Sequence, residues 1–304
     1  MILGSLFPVF SLIVLGYVLK AYKITSSEFL NTSDRLVYYI FFPVMLFWKI
    51  GGAETGADID WLFCMAAGSA LLILYILSTL FIIKAKIPDF QAGSFSQSCY
   101  RFNTYIGMAI VLNALGDDGV THFGILIGLI IPVINVLAVS TLIWFSGLPF
   151  SPPKKAALML KALISNPLII ACIAGLFYAA TINKFPGYLD NTFRLASLVT
   201  LPLALLSIGG SLSLKALKGH FRLSIIGAGF KLVLFPILGF IFLTIFSVSG
   251  IAFKTGMIFF ALPTSTAIYV LSAQLNSDTE LASATVVLST ILSFASLSAV
   301  LMLF

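Results

Sequence analysis

The chain has 304 residues, 60% hydrophobic and 9% charged, with a formal net charge of +6 and a mean hydropathy of +1.11. Water-soluble domains hold roughly 45–50% apolar and 25% charged residues, so a soluble globular protein is excluded. The basic residues sit between apolar runs, where they report orientation in a bilayer rather than a nucleic-acid partner.

Crossing the hydrocarbon takes about 20 apolar residues. On that ruler the chain predicts ten spans, near 2–19, 36–48, 61–83, 98–115, 120–145, 157–180, 195–214, 223–246, 256–275 and 281–304. The first run has no basic leader or small-residue cleavage site and reads as a retained helix. The second needs its polar start, from Asn31, to reach full length, and Asp34 with Arg35 reads as an interfacial anchor. Asn166-Pro167 is expected to kink the sixth. Cys64, Cys99 and Cys172 fall in or beside apolar runs, and their odd number gives no disulfide framework.

Lysine and arginine then set the orientation. With the N-terminus outside, inner loops hold Lys20, Lys23, Lys84, Lys86, Lys154, Lys155, Lys215, Lys218 and Arg222. The outer ends hold Lys49, Lys184 and Lys254, close to Glu54, Asp58, Asp60, Asp117 and Asp118. This asymmetry fits the positive-inside rule and places both termini outside a plasma membrane (the inner membrane in a bacterium).

An internal repeat organises the chain. Residues 30–51, LNTSDRLVYYIFFPVMLFWKIG, overlay residues 189–210, LDNTFRLASLVTLPLALLSIGG, without a gap. Arg35 meets Arg194, Pro43 meets Pro202, Pro8 meets Pro167 and Gly16 meets Gly175. One residue further on, Asn103 meets Pro263. The repeats are 1–152 and 153–304, and an odd number of spans in each inverts the second copy. Inverted repeats with interrupted helices mark secondary transporters, whose sites lie near the midplane.

Two stretches interrupt that apolar pattern. The fourth span carries Arg101-Phe102-Asn103-Thr104 and the ninth carries Pro263-Thr264-Ser265-Thr266. An intramembrane arginine costs at least about 2.5–3.5 kcal/mol and faces a cavity or a partner. Pro263 breaks its helix, and irregular backbone at that depth is tolerated only against protein or water. Two broken helices crossing there would aim half-helix N-termini at one place, where an anion is favoured. Candidate substrate-binding residues are Arg101, Asn103, Thr104, Pro263, Thr264, Ser265 and Thr266, with Asn135 after Pro132 in the fifth span. The bland reading is that these hydroxyls bond their own helix, that Asn135 bonds a neighbouring one, and that Arg101 anchors a helix end to a loop carboxylate such as Asp89 or to lipid phosphate. Lys231 lies nine residues into the eighth span and could snorkel to the surface or reach the site, with snorkelling the favoured expectation.

Every Asp and Glu falls in a loop or at a span end, and His122 and His220 do the same, so no mid-membrane proton relay is expected. There is no HExxH and no histidine placed to activate a serine. No enzymatic activity, cofactor or metal is expected.

With PVFSLIVLGYVLK, LVYYIFFPVMLF, RFNTYIGMAIVLNALG, LPLALLSIGGSLSL and ALPTSTAIYVLSAQ in order, the chain resembles the auxin efflux carrier family, in its bacterial members, over nearly its whole length. The resemblance implies an all-α polytopic membrane protein: ten helices in two inverted repeats of five, with broken helices 4 and 9 crossing. It implies a scaffold of about 1–55 and 156–215, a mobile transport domain of about 56–150 and 216–304, and a homodimer in the lipid bilayer. Plant relatives export the auxin anion, and bacterial ones are linked to small carboxylates such as malate and malonate. Here only the connector GLPFSPPKK joins the halves, in place of the long cytosolic loop of many plant exporters. Bile-acid sodium symporters share the architecture, but their sodium-site carboxylate has no match. The expected function is secondary transport of a small organic anion by an elevator-type movement. The alternatives are a sodium- or proton-coupled carrier of the same architecture and a membrane ligand sensor that does not transport. The bulky stretch Phe41, Phe42, Leu46, Phe47 and Trp48 is expected at the homodimer interface.

Overall fold

The computed structural model describes residues 2–52, 59–147, 160, 166–182 and 184–304. Among these residues all regular structure is helical. In chain order the helices are α1 (Ile2–Ala21), α2 (Ser27–Leu36), α3 (Phe42–Gly51), α4 (Trp61–Lys84), α5 (Asp89–Tyr100), α6 (Thr104–Phe145) and α7 (Pro167–Thr181). They continue with α8 (Gly187–Ser211), α9 (Leu217–Gly229), α10 (Phe235–Ile245), α11 (Gly250–Ala261), α12 (Ala267–Gln274) and α13 (Thr279–Leu303). Among the described residues six stretches are long and apolar enough to cross a membrane: Gly4–Ala21, Trp61–Lys84, Asp89–Phe145, Gly187–Ser211, Leu217–Ile245 and Thr279–Leu303. Helices satisfy their own backbone polar groups, the condition for crossing hydrocarbon, so this is a multi-pass helical membrane protein. Lys154, Lys155, Glu54, Asp58 and most of the connector lie outside the described residues.

One departure from the expected boundaries has a clear cause. The fourth span begins at Asp89, nine residues before the hydropathy ruler places it. Its first turns are polar yet buried, because the end of α12 and the 275–278 loop satisfy them: the Ser94 hydroxyl lies 2.8 and 2.9 Å from those of Ser272 and Ser277, and Gln91 donates to Asp278 at 3.1 Å. At the sixth, Asn166 caps α7, its side chain accepting the Leu168 N–H. The residues just before it, on which the expected start and kink of that span depend, lie outside those described.

Proline shapes two helices from within. The turns Val37–Phe41 and Phe230–Leu234 are π-helical, and each is followed by a Phe-Pro pair, Phe42-Pro43 and Phe235-Pro236. A proline has no N–H for the carbonyl four residues back and its ring crowds that carbonyl. The turn widens instead, so Val37 O accepts from Phe42 N–H and Phe230 O from Phe235 N–H. The carbonyl that Pro236 leaves without its helical donor, on Leu232, accepts the Ser296 hydroxyl at 3.0 Å.

The chain separates into two compact units. The first comprises Met1–Trp61, Tyr105–Leu129 and Ile164–Leu212. Here α1 lies directly on α8: a methyl at Gly16 would collide with the Leu206 carbonyl, and one at Gly209 with that of Ile13. Only glycine allows backbones so close. Positions matched by the repeat make matching contacts. A Cβ at Gly210 would lie 3.6 Å from Gly16 O, and one at Gly51 the same distance from Gly175 O. Also in this unit α6 bends at Gly116, whose φ of 68° and ψ of −156° are closed to a side chain. Without that bend its 42 residues would run for about 63 Å, far beyond a bilayer. Phe42 and Leu46 are fully buried, and Phe47 packs edge-on against Tyr178, Phe185 and Phe193. The stretch expected to face a partner copy therefore spends much of its bulk inside its own unit, because aromatic side chains from α7, α8 and the segment between them reach it; Leu36, Tyr39 and Ile40 nearby are exposed.

The second unit comprises Leu62–Thr104, Ile130–Leu163 and Ser213–Phe304. Its centre is polar for a membrane protein: Gln97, Arg101, Asn103, Asn135, Lys231 and Thr264 are all buried.

Candidate functional site

All eight residues singled out from the sequence fall in this second unit. Helix α5 stops at Tyr100, Arg101 is extended (φ −67°, ψ 139°), and helix resumes at Thr104. Helix α11 stops at Ala261, Leu262 is extended (φ −65°, ψ 148°), and helix resumes at Ala267. A residue before proline is biased out of the helical region, which favours the extended Leu262. The first interruption has no proline.

The two interruptions meet. Asn103 N–H donates to the Pro263 carbonyl at 2.9 Å. The Thr264 hydroxyl donates to Ser98 O at 3.0 Å, and its N–H donates to the Ser289 hydroxyl at 3.1 Å. Each interruption thus supplies partners for backbone groups the other helix has lost, as buried backbone requires. Phe102 and Phe259 pack edge-on beside the junction, with centroids 4.6 Å apart.

Arg101, 9% exposed, donates to Asn135 Oδ1 at 3.1 Å and Gln97 Oε1 at 3.4 Å. These amide oxygens orient the guanidinium without cancelling its charge. Asp89 is ruled out as its anchor, since the two residues stand at opposite ends of α5, about 18 Å apart along the axis. Thr104 and Thr266 are half-buried at the starts of α6 and α12, where backbone N–H groups point out of the helix. The half-buried Ser265 hydroxyl accepts the Ala267 N–H at 3.3 Å. Asn103 is buried at the junction, and the Thr264 hydroxyl is committed to holding it.

Lys231 does not snorkel. It is 0% exposed, and its Nζ donates to Phe260 O at 3.2 Å and lies 4.5 Å above the Phe235 ring. Its depth in an apolar span is the signal that marks it, since an intramembrane ionisable residue is a functional candidate by default. Ser289, which supports the junction, carries no such mark. Among the described residues no group of three or more His, Cys, Asp or Glu is placed to hold a metal.

A family model described as membrane transport protein matches residues 1–156 and 151–301. The chain belongs to the membrane transport protein family. This is the auxin efflux carrier family that the sequence resembles, a family of membrane transporters and not of enzymes. An uncharacterized transporter of Methanocaldococcus jannaschii is 23% identical over 291 residues, covering 92% of this chain and 91% of its own. A protein of Rhizobium meliloti named "Putative malonate transporter" is 24% identical over 312 residues, covering 99% and 95%. Both alignments cover at least nine-tenths of each chain.

Proposed function

We propose that this membrane transport protein carries a small organic anion, a carboxylate of the malate, malonate or auxin-like class, at the junction of its two interrupted helices. The observation that carries the reading is the bond from Asn103 N–H to Pro263 O, with the buried Arg101 two residues away. It joins two helix starts, at Thr104 and Ala267, beside one guanidinium. Helix N-termini and a guanidinium both favour carboxylate, and the guanidinium can grip it with two parallel hydrogen bonds. The name of the Rhizobium meliloti relative supports the substrate class.

The movement is an elevator, in which the unit bearing the polar junction slides against a scaffold. Supporting this is the contrast within the chain: the junction lies wholly in the second unit, and the first is held by glycine-mediated backbone contacts between α1 and α8. The working architecture is ten spans in two inverted repeats, 1–152 and 153–304, both termini outside and two copies in a dimer.

Reconstitution tests the reading. Proteoliposomes containing the protein should accumulate radiolabelled malonate or malate above protein-free vesicles, and the same acids should raise its unfolding temperature. Binding without flux would make it a sensor and end the transport reading. Cysteine labelling tests the architecture, since Cys64, Cys99 and Cys172 are buried and leave a quiet background. Reporters at Asp117 and Lys184 should react from outside and one at Lys218 only from inside.

A further inference from the structure

We propose that Lys231 is a built-in cation at the second interruption, filling the role of a bound monovalent cation at the end of α11, so that transport needs no sodium. The second half of this rests on the transport reading above.

The C-terminal end of a helix is its negative end, and half-helix ends inside membrane transporters are where coupling cations are held. In an unbroken helix Phe260 O would accept the N–H of Thr264. Here that N–H goes to Ser289, and Phe260 O takes the Lys231 Nζ instead. Two features suit this position to a charged ammonium and not merely to a hydrogen-bond donor. The Phe235 ring beneath Nζ presents the negative face of its quadrupole, and the helix dipole adds to the pull of the carbonyl. Delivery is local as well. Lys231 stands in the widened turn that Pro236 induces, and the extra residue in such a turn rotates the side chains before it by about 100° relative to those after it. Each interruption thus has one fixed positive charge, Arg101 within the first and Lys231 brought to the second from the adjoining helix.

The test compares purified wild-type protein with Lys231→Ala, Lys231→Gln and Lys231→Arg by thermal unfolding, in sodium chloride and in choline chloride of equal ionic strength. The wild-type midpoint should be the same in both salts. Lys231→Ala should unfold roughly 3–10 °C lower, the shift expected for losing one charged buried hydrogen bond. It should recover at least half of that with sodium or ethylammonium, and none with choline or ethanol. Lys231→Gln keeps a donor but no charge and should remain low in choline, whereas Lys231→Arg should stay near wild type. Equal stability of the Gln variant and wild type, or an Ala deficit that no cation relieves, overturns the proposal. If the Ala variant cannot be purified the other two decide, and the proposal falls if Gln yields folded protein as well as Arg does. Wild-type malonate flux that requires sodium overturns its second half. Absence of any anion flux ends the transport reading and leaves the stability result standing.

Discussion

At residues 262–266 covalent chemistry favours the break: Pro263 lacks an N–H, and its ring disfavours helical backbone at Leu262, which is extended, whereas Phe42 before Pro43 and Phe235 before Pro236 stay helical by widening a turn. At residues 101–103 no proline intervenes, and Asn103 sends its N–H across to Pro263 O in place of an acceptor in its own helix. One interruption is favoured by its own sequence, and the other is tied to a partner about 160 residues away. Their charges differ in the same manner. Arg101 belongs to the strand of irregular backbone it serves, while Lys231 arrives from a neighbouring helix. A break held by local chemistry should tolerate loss of its partner, and a break held by a contact should not.

The largest effect is expected at Arg101. Arg101→Ala should cost more than tenfold in malonate affinity, about 2–5 kcal/mol for a buried charge-assisted contact, and Arg101→Lys less, since an ammonium cannot reproduce the two-pronged grip. Affinity and unfolding temperature measured on one sample decide it, and wild-type affinity in well-folded Arg101→Ala would end this residue's anion role. Next comes Asn103→Pro, which gives the first interruption the chemistry of the second. It removes the donor to Pro263 O and should destabilise by about 1–3 kcal/mol, seen as an earlier thermal transition. An unchanged transition would mean that proline chemistry alone can hold the first break without the contact.

Thr264→Val keeps the shape and deletes the hydroxyl bound to Ser98 O, for about 1 kcal/mol. The same measurement on Ser289→Ala, which removes the acceptor of the Thr264 N–H, should give a similar loss. The smallest change belongs to Ser296→Ala, about 0.5–1 kcal/mol, because it strips the donor from Leu232 O. That loss should vanish in a Pro236→Ala background, where the helix can supply its own N–H. A double-mutant cycle reads the coupling directly, and zero coupling would sever the widened turn from Ser296.

The sequence alone determined the helical, membrane-spanning class, because burying so many apolar residues in water is unworkable and periodic backbone bonding is forced in lipid. It also located both interruptions. Pro263 announces its own break, and Arg101 is too costly in hydrocarbon to be incidental. The glycines at positions 16, 51, 175 and 210 already aligned in the repeat, and their close contacts follow that alignment. Other features were decided only by tertiary structure. Hydropathy sums the preference of each residue for lipid or water, and it cannot register a hydrogen bond to a residue far along the chain. The polar start of α5 therefore read as loop, although Ser272, Ser277 and Asp278 satisfy it. Lys231 read as a snorkelling side chain, although the broken end of α11 offers it a carbonyl and a ring. Phe42, Leu46 and Phe47 read as outward-facing because lipid and protein interior are equally apolar, and only the packing of Tyr105, Tyr178, Phe185 and Phe193 around α3 distinguishes them.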